Sequence, residues 1–540
     1  AAQVLQRLAG KAAVGILGEA DERQRVEVCC AQGLSARQRM VRRHCGGWTV
    51  GCACDAGQLS WDQQEQQCHG LVWQAPACWL RKASNMQTTF TEKQLENPGT
   101  QRANEILRAC VHCGFCTATC PTYQVLGDEL DSPRGRIYLI KDMLENNRPA
   151  TPQVVKHVDR CLSCLSCMTT CPSGVNYMHL VDHARSHIEK THRRSFSDRV
   201  FRGILAAVLP YPNRFRVALL GAAIAKVFTP VLRHLPGIGA RIEAMLSLAP
   251  RMIGGRSPLE RPQIVSSEGP RRARVALLTG CAQPVLNPGI NEATVRLLNR
   301  MSVEIVIPKD EGCCGALVHH MGHEAESHSF AKKNIAAWIS ESEGEGLDAI
   351  IITASGCGTT IKDYGFMFRN DPEWAEKAAK VSMLAKDITE FLATHELPAI
   401  VRATSHTVAY HSACSMQHGQ QIRDEPKKLL KSVGFNVKDV PEGHICCGSA
   451  GTYNILQPEI AGKLRSRKVA NIQKIVPEII ATGNLGCMTQ IGKGLSDTND
   501  STPIVHTVEL LDWITGGPTP KAIEKAGLKA DTAINTLAAE

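Results

Sequence analysis

Two cysteine runs decide the fold of this chain: the first reads Cys110-Val-His-Cys113-Gly-Phe-Cys116-Thr-Ala-Thr-Cys120-Pro121, and the second reads Cys161-Leu-Ser-Cys164-Leu-Ser-Cys167-Met-Thr-Thr-Cys171-Pro172. Both have the spacing C-x2-C-x2-C-x3-C-P, which is typical of [4Fe–4S] ligation. In this pattern three closely spaced thiolates hold one cluster, and the fourth cysteine reaches the other cluster. We therefore predict two clusters with crossed ligation: Cys110, Cys113, Cys116 and Cys171 on one, and Cys161, Cys164, Cys167 and Cys120 on the other.

Zinc is the alternative metal for such a cysteine pattern. Zinc sites would need only C-x2-C pairs. They would leave the fourth cysteine and the proline of each run without a role, so the pattern favours iron–sulfur clusters.

The composition is that of a large globular protein with an unusual number of cysteines. The chain has 540 residues, of which 43% are hydrophobic and 23 are cysteines, which is room for about two to four domains. The cysteines fall in metal-type groups rather than in a disulfide pattern, which indicates a reducing, cytoplasmic setting. We expect no signal peptide and no membrane-spanning helix, because the most apolar run, Val217 to Phe228, is short and contains Lys226.

The net charge of +9 is concentrated in one segment. Residues 191–272 hold a large excess of Lys and Arg over Asp and Glu, and apolar stretches alternate there with prolines. This pattern predicts a connector of short amphipathic helices. The segment could lie peripherally on an anionic membrane surface such as the inner face of the cell membrane, dock a partner subunit, or simply join two domains. A local surplus of this kind does not indicate nucleic-acid binding.

Residues 1–85 differ in composition from the rest of the chain. They contain scattered cysteines and tryptophans and no sustained periodicity, and ordinary composition begins at Met86. We interpret them as upstream or misread sequence. The alternative is an additional metal module that uses Cys52, Cys54, Cys68 and His69.

Residues 86–190 carry the two cysteine runs and are predicted to be helical. Helices are expected at 105–110, 134–144, 154–161 and 180–190, on either side of the two cysteine loops. This order resembles the alpha-helical ferredoxin domain of succinate-dehydrogenase-type iron–sulfur subunits. Arg134, Arg136 and Arg160 lie near the runs and could either tune the cluster charge or form ordinary ion pairs.

Residues 273–515 contain an internal repeat with an α/β pattern. In each half a short apolar strand precedes a single cysteine, a Cys-Cys-Gly step follows, and a third strand precedes a last cysteine. The first repeat spans 273–400, the second spans 401–515, and residues 516–540 form a tail. Parallel strands place their ligand sites at their carboxyl ends, where all these cysteines fall. The candidate ligands are Cys281, Cys313, Cys314, Cys357, Cys414, Cys446, Cys447 and Cys487.

The Cys-Cys-Gly step favours a metal or redox role over buried structural thiols. Gly315 and Gly448 would let another part of the backbone approach closely. His411, three residues before Cys414, is a candidate extra ligand, and a hydrogen-bonded core histidine is its alternative. A further iron–sulfur cluster in this part of the chain stays open.

These features together resemble the iron–sulfur subunits of glycolate oxidase (glycolate dehydrogenase) complexes, which belong to the wider family of CCG-domain, heterodisulfide-reductase-like proteins. The likeness extends from about Met86 to Trp513. The motifs that carry it are Leu107–Tyr123, Gly127–Asp131, Ser132–Ile140, Gly280–Pro284, Gly312–Ala316, Thr353–Gly358 and Cys446–Tyr453.

The resemblance implies an electron-transfer subunit of an oxidoreductase that acts on a CH–OH donor. An FAD-containing subunit and a second flavin-type subunit would oxidise glycolate to glyoxylate, and this chain, with no catalytic residue of its own, would pass the electrons toward a quinone or another membrane acceptor. Lactate and glycerol 3-phosphate are the alternative substrates, each oxidised by a complex with the same kinds of subunit. The heterodisulfide-reductase motif ends in C-x2-C, but here Thr360 and Gln490 take the last position. That departure argues against disulfide reduction by the CCG domain itself.

Overall fold

The computed structural model describes residues 85–235, 237–250 and 253–532, and the backbone of two strands near the amino terminus. Strands β1 (Gln38–Cys45) and β2 (Trp48–Asp55) pair antiparallel as a hairpin. The alternative metal module lies outside the described residues, since Cys68 and His69 are not described and only the backbone is described at Cys52 and Cys54.

The cysteine runs lie in a helical domain, and each of its longer helices begins at an identifiable cap. Asn97, Ser132 and Thr151 accept hydrogen bonds from main-chain N–H groups of the first turn, and proline follows each of them. Proline is tolerated there because the first N–H groups of a helix have no partner inside it. The helices are α1 (Glu92–Leu95), α2 (Pro98–Ala109), α3 (Phe115–Thr119), α4 (Pro121–Leu126), α5 (Pro133–Glu145), α6 (Pro152–Asp159), α7 (Ser166–Thr170) and α8 (Tyr177–Thr191).

The connector is also helical, with helices α9 (Phe196–Val208), α10 (Pro212–Ala225), α11 (Thr229–Leu232) and α12 (Gly239–Leu248). A 3-10 turn at Lys226–Phe228 joins α10 to α11, and Pro230 occupies the first turn of α11. The run Pro212–Leu232 is therefore longer than the sequence indicated. By length and composition it could cross a membrane, with a mean hydropathy of 1.7 and 6% of its most apolar window buried. The expectation that this run is too short was wrong, because neither Lys226 nor Pro230 ends the helical path.

The first CCG repeat is built on a five-stranded sheet in the order β3-β5-β4-β6-β7. All neighbouring strands are parallel except β3, which pairs antiparallel with β5 and lies within the segment 191–272 that was expected to be a helical connector. The strands are β3 (Gln263–Val265), β4 (Ala273–Leu277), β5 (Val303–Ile307), β6 (Ala349–Ile352) and β7 (Ala385–Asp387). The helices are α13 (Gln283–Leu286), α14 (Gly289–Arg300), α15 (Ala316–His320), α16 (Glu324–Glu343), α17 (Ser355–Lys362), α18 (Tyr364–Met367), α19 (Ala375–Leu384) and α20 (Ile388–Leu392).

The second repeat has a four-stranded parallel sheet in the order β10-β9-β11-β12. A short antiparallel pair, β8 (Arg402–Ala403) with β13 (Asp531–Thr532), lies beside it. The other strands are β9 (Thr407–Tyr410), β10 (Asn436–Asp439), β11 (Ile479–Thr482) and β12 (Ile504–His506). The helices are α21 (Glu425–Ser432), α22 (Tyr453–Leu456), α23 (Pro458–Gln473), α24 (Leu485–Asp497), α25 (Thr507–Ile514) and α26 (Lys521–Lys525), with a π-helical turn at Ser415–Gly419.

The two repeats share one apolar core, in which Leu277 and Ile351 of the first sheet lie in the same cluster as Tyr410 and Trp513 of the second repeat. Burial of this kind contributes about 25 cal/mol per Å² of apolar surface. The shared core therefore fixes the two sheets relative to each other, and with them the two sets of cysteines at their carboxyl ends.

Candidate metal centres

The first cysteine run and the end of the second line one pocket. Cys110 caps the carboxyl end of α2, Cys116 lies in α3, and Cys171 arrives from the other run at the end of α7. These three cysteines line the pocket together with Cys113 and Tyr177.

A second pocket lies beside the first. Its cysteines are Cys120, Cys161, Cys164 and Cys167. Cys167 and Tyr177 line both pockets. The structure thus brings the fourth cysteine of each run to the pocket of the other run.

The two loops curl in the same way because residues at matching positions adopt the left-handed conformation. His112 and Gly114 in the first run have φ of 53° and 81°, and Ser163 and Leu165 in the second have φ of 50° and 61°. A leucine in this conformation is rare, and such strain persists where the surrounding structure demands it. The repeated turn directs three sulfurs of each loop to one side.

The chemistry of both pockets fits a cationic metal cluster. Burial and neighbouring thiolates raise the pKa of Cys116 to about 12, and burial also raises the pKa of Cys110 and Cys167. Metal binding replaces the protons of such thiols, so occupation of the pocket is coupled to proton release. The buried hydroxyl of Tyr177, which faces both pockets, has no hydrogen-bond partner among the described residues. It is a donor available to a cluster sulfide or thiolate.

Arg136 is buried beside the second pocket, and its contacts decide between the two roles that the sequence left open for it. It pairs with the fully buried Asp131 at 3.3 Å, and its Nη1 lies 4.0 Å from Cys120 Sγ. Arg160 bonds the other oxygen of Asp131 at 2.8 Å, whereas Arg134 pairs with the half-exposed Glu129. All three arginines therefore form ion pairs, and two of them also place a positive charge by the cysteines: Arg136 beside Cys120 and Arg134 in the lining of the first pocket.

The first CCG repeat brings its four cysteines together at the carboxyl ends of β4, β5 and β6. Cys281 lies beside Cys313, Cys313 beside Cys314, and Cys314 beside Cys357. The main-chain N–H of Gly315 donates to Cys313 Sγ at 3.4 Å. A Cβ on this glycine would lie 2.9 Å from the carbonyl oxygen of Ser327, so the close backbone approach is present.

The second repeat reproduces this arrangement and adds His411. Cys414 lies beside Cys446, Cys446 beside Cys447, and Cys447 beside both Cys487 and His411. Hydrogen bonding from Cys446 and Cys487 holds the pKa of Cys447 well below its usual value. Suitable ligand atoms of His411, Cys447 and Cys487 all lie within 4.8 Å of one another.

The positions that lack the fifth cysteine have ordinary structural roles. Gln490 is fully buried, accepts a hydrogen bond from Asn454 and donates one to the carbonyl of Ala461. The Thr360 hydroxyl donates to the carbonyl of Gly356 at 3.3 Å. Neither side chain adds a sulfur to the cysteine groups.

The second repeat lies against the second pocket, a relationship that no sequence motif marks. Burial and then the Cys414 thiolate raise the pKa of Cys164 well above its usual value. Leu162, Cys414 and Cys446 belong to one apolar cluster, with Cys164 packed against it. Lys468, buried beside the cysteines of this repeat, was also missed by sequence reasoning, since nothing around it forms a motif.

Comparisons with known proteins agree with this division of the chain. A family model described as a 4Fe-4S dicluster domain matches residues 106–175, and the model of the cysteine-rich CCG domain matches residues 275–362 and 408–492. The glycolate oxidase iron-sulfur subunit of Escherichia coli K12 is 40% identical over 427 residues, which cover 79% of this chain and 98% of that protein. This chain belongs to the family of glycolate oxidase iron–sulfur subunits. The resemblance expected from the sequence is thereby confirmed.

Other relatives of this glycolate oxidase iron–sulfur subunit are more distant. A probable glycolate oxidase iron-sulfur subunit of Bacillus subtilis is 34% identical over 445 residues, again 79% of this chain and 98% of that protein. Lactate utilization protein A of Bacillus subtilis is 27% identical but covers 44% of this chain. Among solved structures, a hypothetical protein from Helicobacter pylori has a TM-score of 0.45 at 11% identity over 82% of this chain and 77% of that one, which is too distant to inform the fold. The subunit is therefore an iron–sulfur protein with a ferredoxin-type domain and a duplicated CCG domain.

Proposed function

We propose that the chain carries electrons in a glycolate-oxidising complex, through two [4Fe–4S] clusters bound by the crossed cysteine sets. The observation that carries this proposal is the pair of adjacent pockets, each lined by four or more cysteines, with Cys167 and Tyr177 in the wall between them. Oxidation of glycolate to glyoxylate releases two electrons and two protons. A flavin can accept both electrons at once, whereas iron–sulfur clusters pass them on singly.

The partners follow from this chemistry. We assign glycolate oxidation to an FAD-containing subunit, with a second flavin-type subunit in the same complex. Electrons then pass from this chain to a quinone or another membrane acceptor. A quinone takes two electrons and two protons to become a quinol, so the overall reaction balances. The substrate is selected on the flavin subunit. Lactate is the alternative substrate suggested by one group of relatives, but those relatives cover less than half of this chain.

The test uses the assembled complex with Cys113→Ser, because Cys113 is the exposed ligand of the first pocket and its loss leaves the core intact. We expect glycolate still to reduce the flavin in this variant, while reduction of the quinone stops. Ser432→Ala, at an exposed position that lines neither pocket, is the control and should keep full turnover. Full turnover to quinone in Cys113→Ser would contradict the proposal, as would anaerobically purified chain without iron and acid-labile sulfide.

We also propose that the chain sits peripherally on the cytoplasmic face of a membrane through the run Pro212–Leu232. Its exposed apolar side chains recur every three or four residues, which places them on one helix face. The exposed Arg214 and Arg233 lie near the two ends of this run, and their charges suit anionic lipid headgroups. The exposed stripe consists of Val217, Leu220, Ile224, Val227, Phe228 and Val231.

Flotation with anionic phosphatidylglycerol vesicles tests this surface. The double variant Ile224→Asp, Val227→Asp should lose vesicle binding, while Met383→Asp, at another exposed apolar position, should retain it. Retention of vesicle binding in the double variant would overturn the proposal. Loss of flavin-subunit binding in that variant, with vesicle binding unchanged, would identify the stripe as a subunit interface instead.

A further inference from the structure

His411 is a buried imidazole that lies beside the Cys447 thiol, and neither of its ring nitrogens has a hydrogen-bond partner of normal geometry among the described residues. It follows β9 directly, and its own main-chain N–H donates to the carbonyl of Ala481 at 2.8 Å. A buried polar group left without a partner destabilises the folded state. The ring lies within 4.8 Å of Cys447 and Cys487 at the ligand atoms, so a metal ion bound there would satisfy it.

The first repeat has no such ring. Leu278 occupies the same backbone position, since it follows β4 and its N–H donates to the carbonyl of Ile351 at 3.0 Å. Leu278 is buried among apolar side chains. The duplicated fold therefore accommodates a leucine at this position in the first repeat.

A second difference concerns charge. In each repeat the backbone of one residue packs closely against the glycine of the Cys-Cys-Gly step. Ser327 packs against Gly315 in the first repeat, and Ala461 packs against Gly448 in the second. Asn334 lies seven residues after Ser327, and Lys468 lies seven residues after Ala461. Lys468 therefore occupies the position in the second repeat that Asn334 occupies in the first. Lys468 is almost fully buried and donates to the carbonyl of Glu442 at 3.0 Å.

The two residues at this position have different effects on their surroundings. Burial lowers the pKa of Lys468, and the neighbouring cysteine thiolates oppose that shift. Asn334 is neutral and bonds the main chain at Gly312 and Cys313. At this position, within the described part of the chain, the second repeat has a buried cation beside its four sulfurs and the first repeat has a neutral amide.

The third difference is position. Cys414 is the electrostatic neighbour of Cys164 in the second pocket, and the π-helical turn Ser415–Gly419 begins immediately after it. Such turns occur frequently at functional sites. Thr169, in α7 of the second cysteine run, bonds His418 of this turn at 2.8 Å. The cysteine set of the second repeat is therefore held directly against the second pocket.

We propose that the second CCG repeat binds an iron–sulfur centre with mixed ligation, in which His411 is a ligand together with Cys447 and Cys487, and that this centre exchanges single electrons with the cluster of the second pocket. This inference rests on the proposed function. In each exchange the cluster of the second pocket loses one electron and the centre gains it. Cys414 and Cys446 lie on the side that faces the second pocket, and Lys468 offsets the negative charge of the thiolates. The first repeat, with Leu278 and Asn334, does not provide this nitrogen ligand.

The experiment is pulsed electron paramagnetic resonance on the full-length chain, purified anaerobically and reduced in steps. We expect three signals, of which one shows strong coupling to a histidine nitrogen, verified by ¹⁵N-histidine labelling. His411→Leu, which copies the first repeat, should abolish the nitrogen coupling and leave the two cubane signals. His411→Cys should keep a third signal without the nitrogen. His506→Leu is the matched control, since His506 is equally buried but bonds Thr353 and Val508.

The outcomes separate this inference from the proposed function. Absence of the two cubane signals in the unaltered chain would overturn the proposed function. Two cubane signals without a nitrogen-coupled third signal would overturn this inference alone. So would nitrogen coupling that survives in His411→Leu, or zinc in place of iron at this site. Retention of both cubane signals in His411→Leu shows that the variant is folded.

Discussion

The phenol of Tyr453 donates a hydrogen bond of 3.0 Å to the main-chain carbonyl of Arg160. Tyr453 belongs to the second CCG repeat, and Arg160 immediately precedes Cys161 of the second pocket. The bond therefore ties the loop of a predicted cluster ligand to the repeat that lies next to it. Tyr453 is buried in the same apolar cluster as Cys414 and Cys446.

Tyr453→Phe should lower the free energy of unfolding by about 1 kcal/mol, the usual net value of one hydrogen bond. Iron content should not change, because no ligand is removed. Anaerobic denaturant unfolding measures the first quantity and iron analysis the second. Tyr138→Phe, at a half-exposed position, should be close to neutral. An equal loss in both variants would show that the bond to Arg160 contributes nothing.

Gly448→Ala should disrupt the CCG site by more than its backbone angle alone explains. Gly448 has φ of 90°, and an added Cβ would lie 2.7 Å from the carbonyl oxygen of Ala461. The left-handed angle costs about 1 kcal/mol, and forcing the backbone of α23 away adds about 1–3 kcal/mol. Unfolding midpoints of the purified variants measure both effects.

Gly127→Ala is the matched variant for this comparison. Gly127 has φ of 69°, but nothing lies within 4 Å of its added Cβ. It should show only the cost of the backbone angle. Equal destabilisation by the two substitutions would show that the close approach to Ala461 is unimportant.

Arg136→Met should be severely destabilising. Asp131 is fully buried, and removing one partner of a buried ion pair costs about 3–5 kcal/mol. The low end of that range is expected here, because Arg160 and His157 still bond Asp131. Denaturant unfolding of the reduced, cluster-loaded chain measures the loss.

Arg148→Met provides the comparison at the surface. Arg148 pairs with Asp142, and both side chains are about half exposed. Exposed pairs contribute about 0–1 kcal/mol, so this variant should stay close to the unaltered chain. A loss of stability as large as that of Arg136→Met would refute the distinction drawn from burial.

The local parts of the site could be predicted from the sequence because their signals are local. The spacing of the two runs fixes which cysteines can reach one cluster, and capping residues such as Ser132 mark where helices begin. The CCG repeat could be recognised because its cysteines and apolar strands recur with the same spacing in both halves. The parts that could not be predicted depend on long-range packing. The contact of Cys164 with Cys414 joins residues far apart in the chain, and no pattern near either residue records it.

The apolar connector shows a different limit of sequence reasoning. Lys226 was expected to argue against a membrane-spanning helix and the prolines of this segment to break it into short helices, but Lys226 falls in a 3-10 turn and Pro230 in the first turn of α11. Proline is compatible with that position, since the missing N–H has no partner there in any helix. The identity of a residue alone therefore did not predict its position within a helical turn.

His319 should make the contact between the helical domain and the first CCG repeat sensitive to pH. Its Nε2 lies 3.3 Å from the carboxylate of Asp182 on α8. Burial lowers the pKa of His319, but the Asp182 carboxylate raises it more, so the pKa lies above its usual value. Other titratable or charged groups at this contact are Arg185, Asp363 and His320, and burial lowers the pKa of His320.

The sign of the effect follows from that raised pKa. A histidine whose pKa is higher in the folded state stabilises the protein below its unfolded pKa of about 6.5, and this contribution is lost as the pH rises through the folded pKa. The interacting imidazoles hold the pKa of Asp182 well below its usual value despite burial, so Asp182 stays ionised throughout this range. The apparent midpoint of thermal unfolding, at one fixed heating rate, should therefore fall between pH 6 and pH 8.5 more steeply in the unaltered chain than in His319→Gln. The partly exposed His187, replaced by Gln, should leave the slope unchanged. Parallel pH profiles for the unaltered chain and His319→Gln would show that this ion pair does not stabilise the contact.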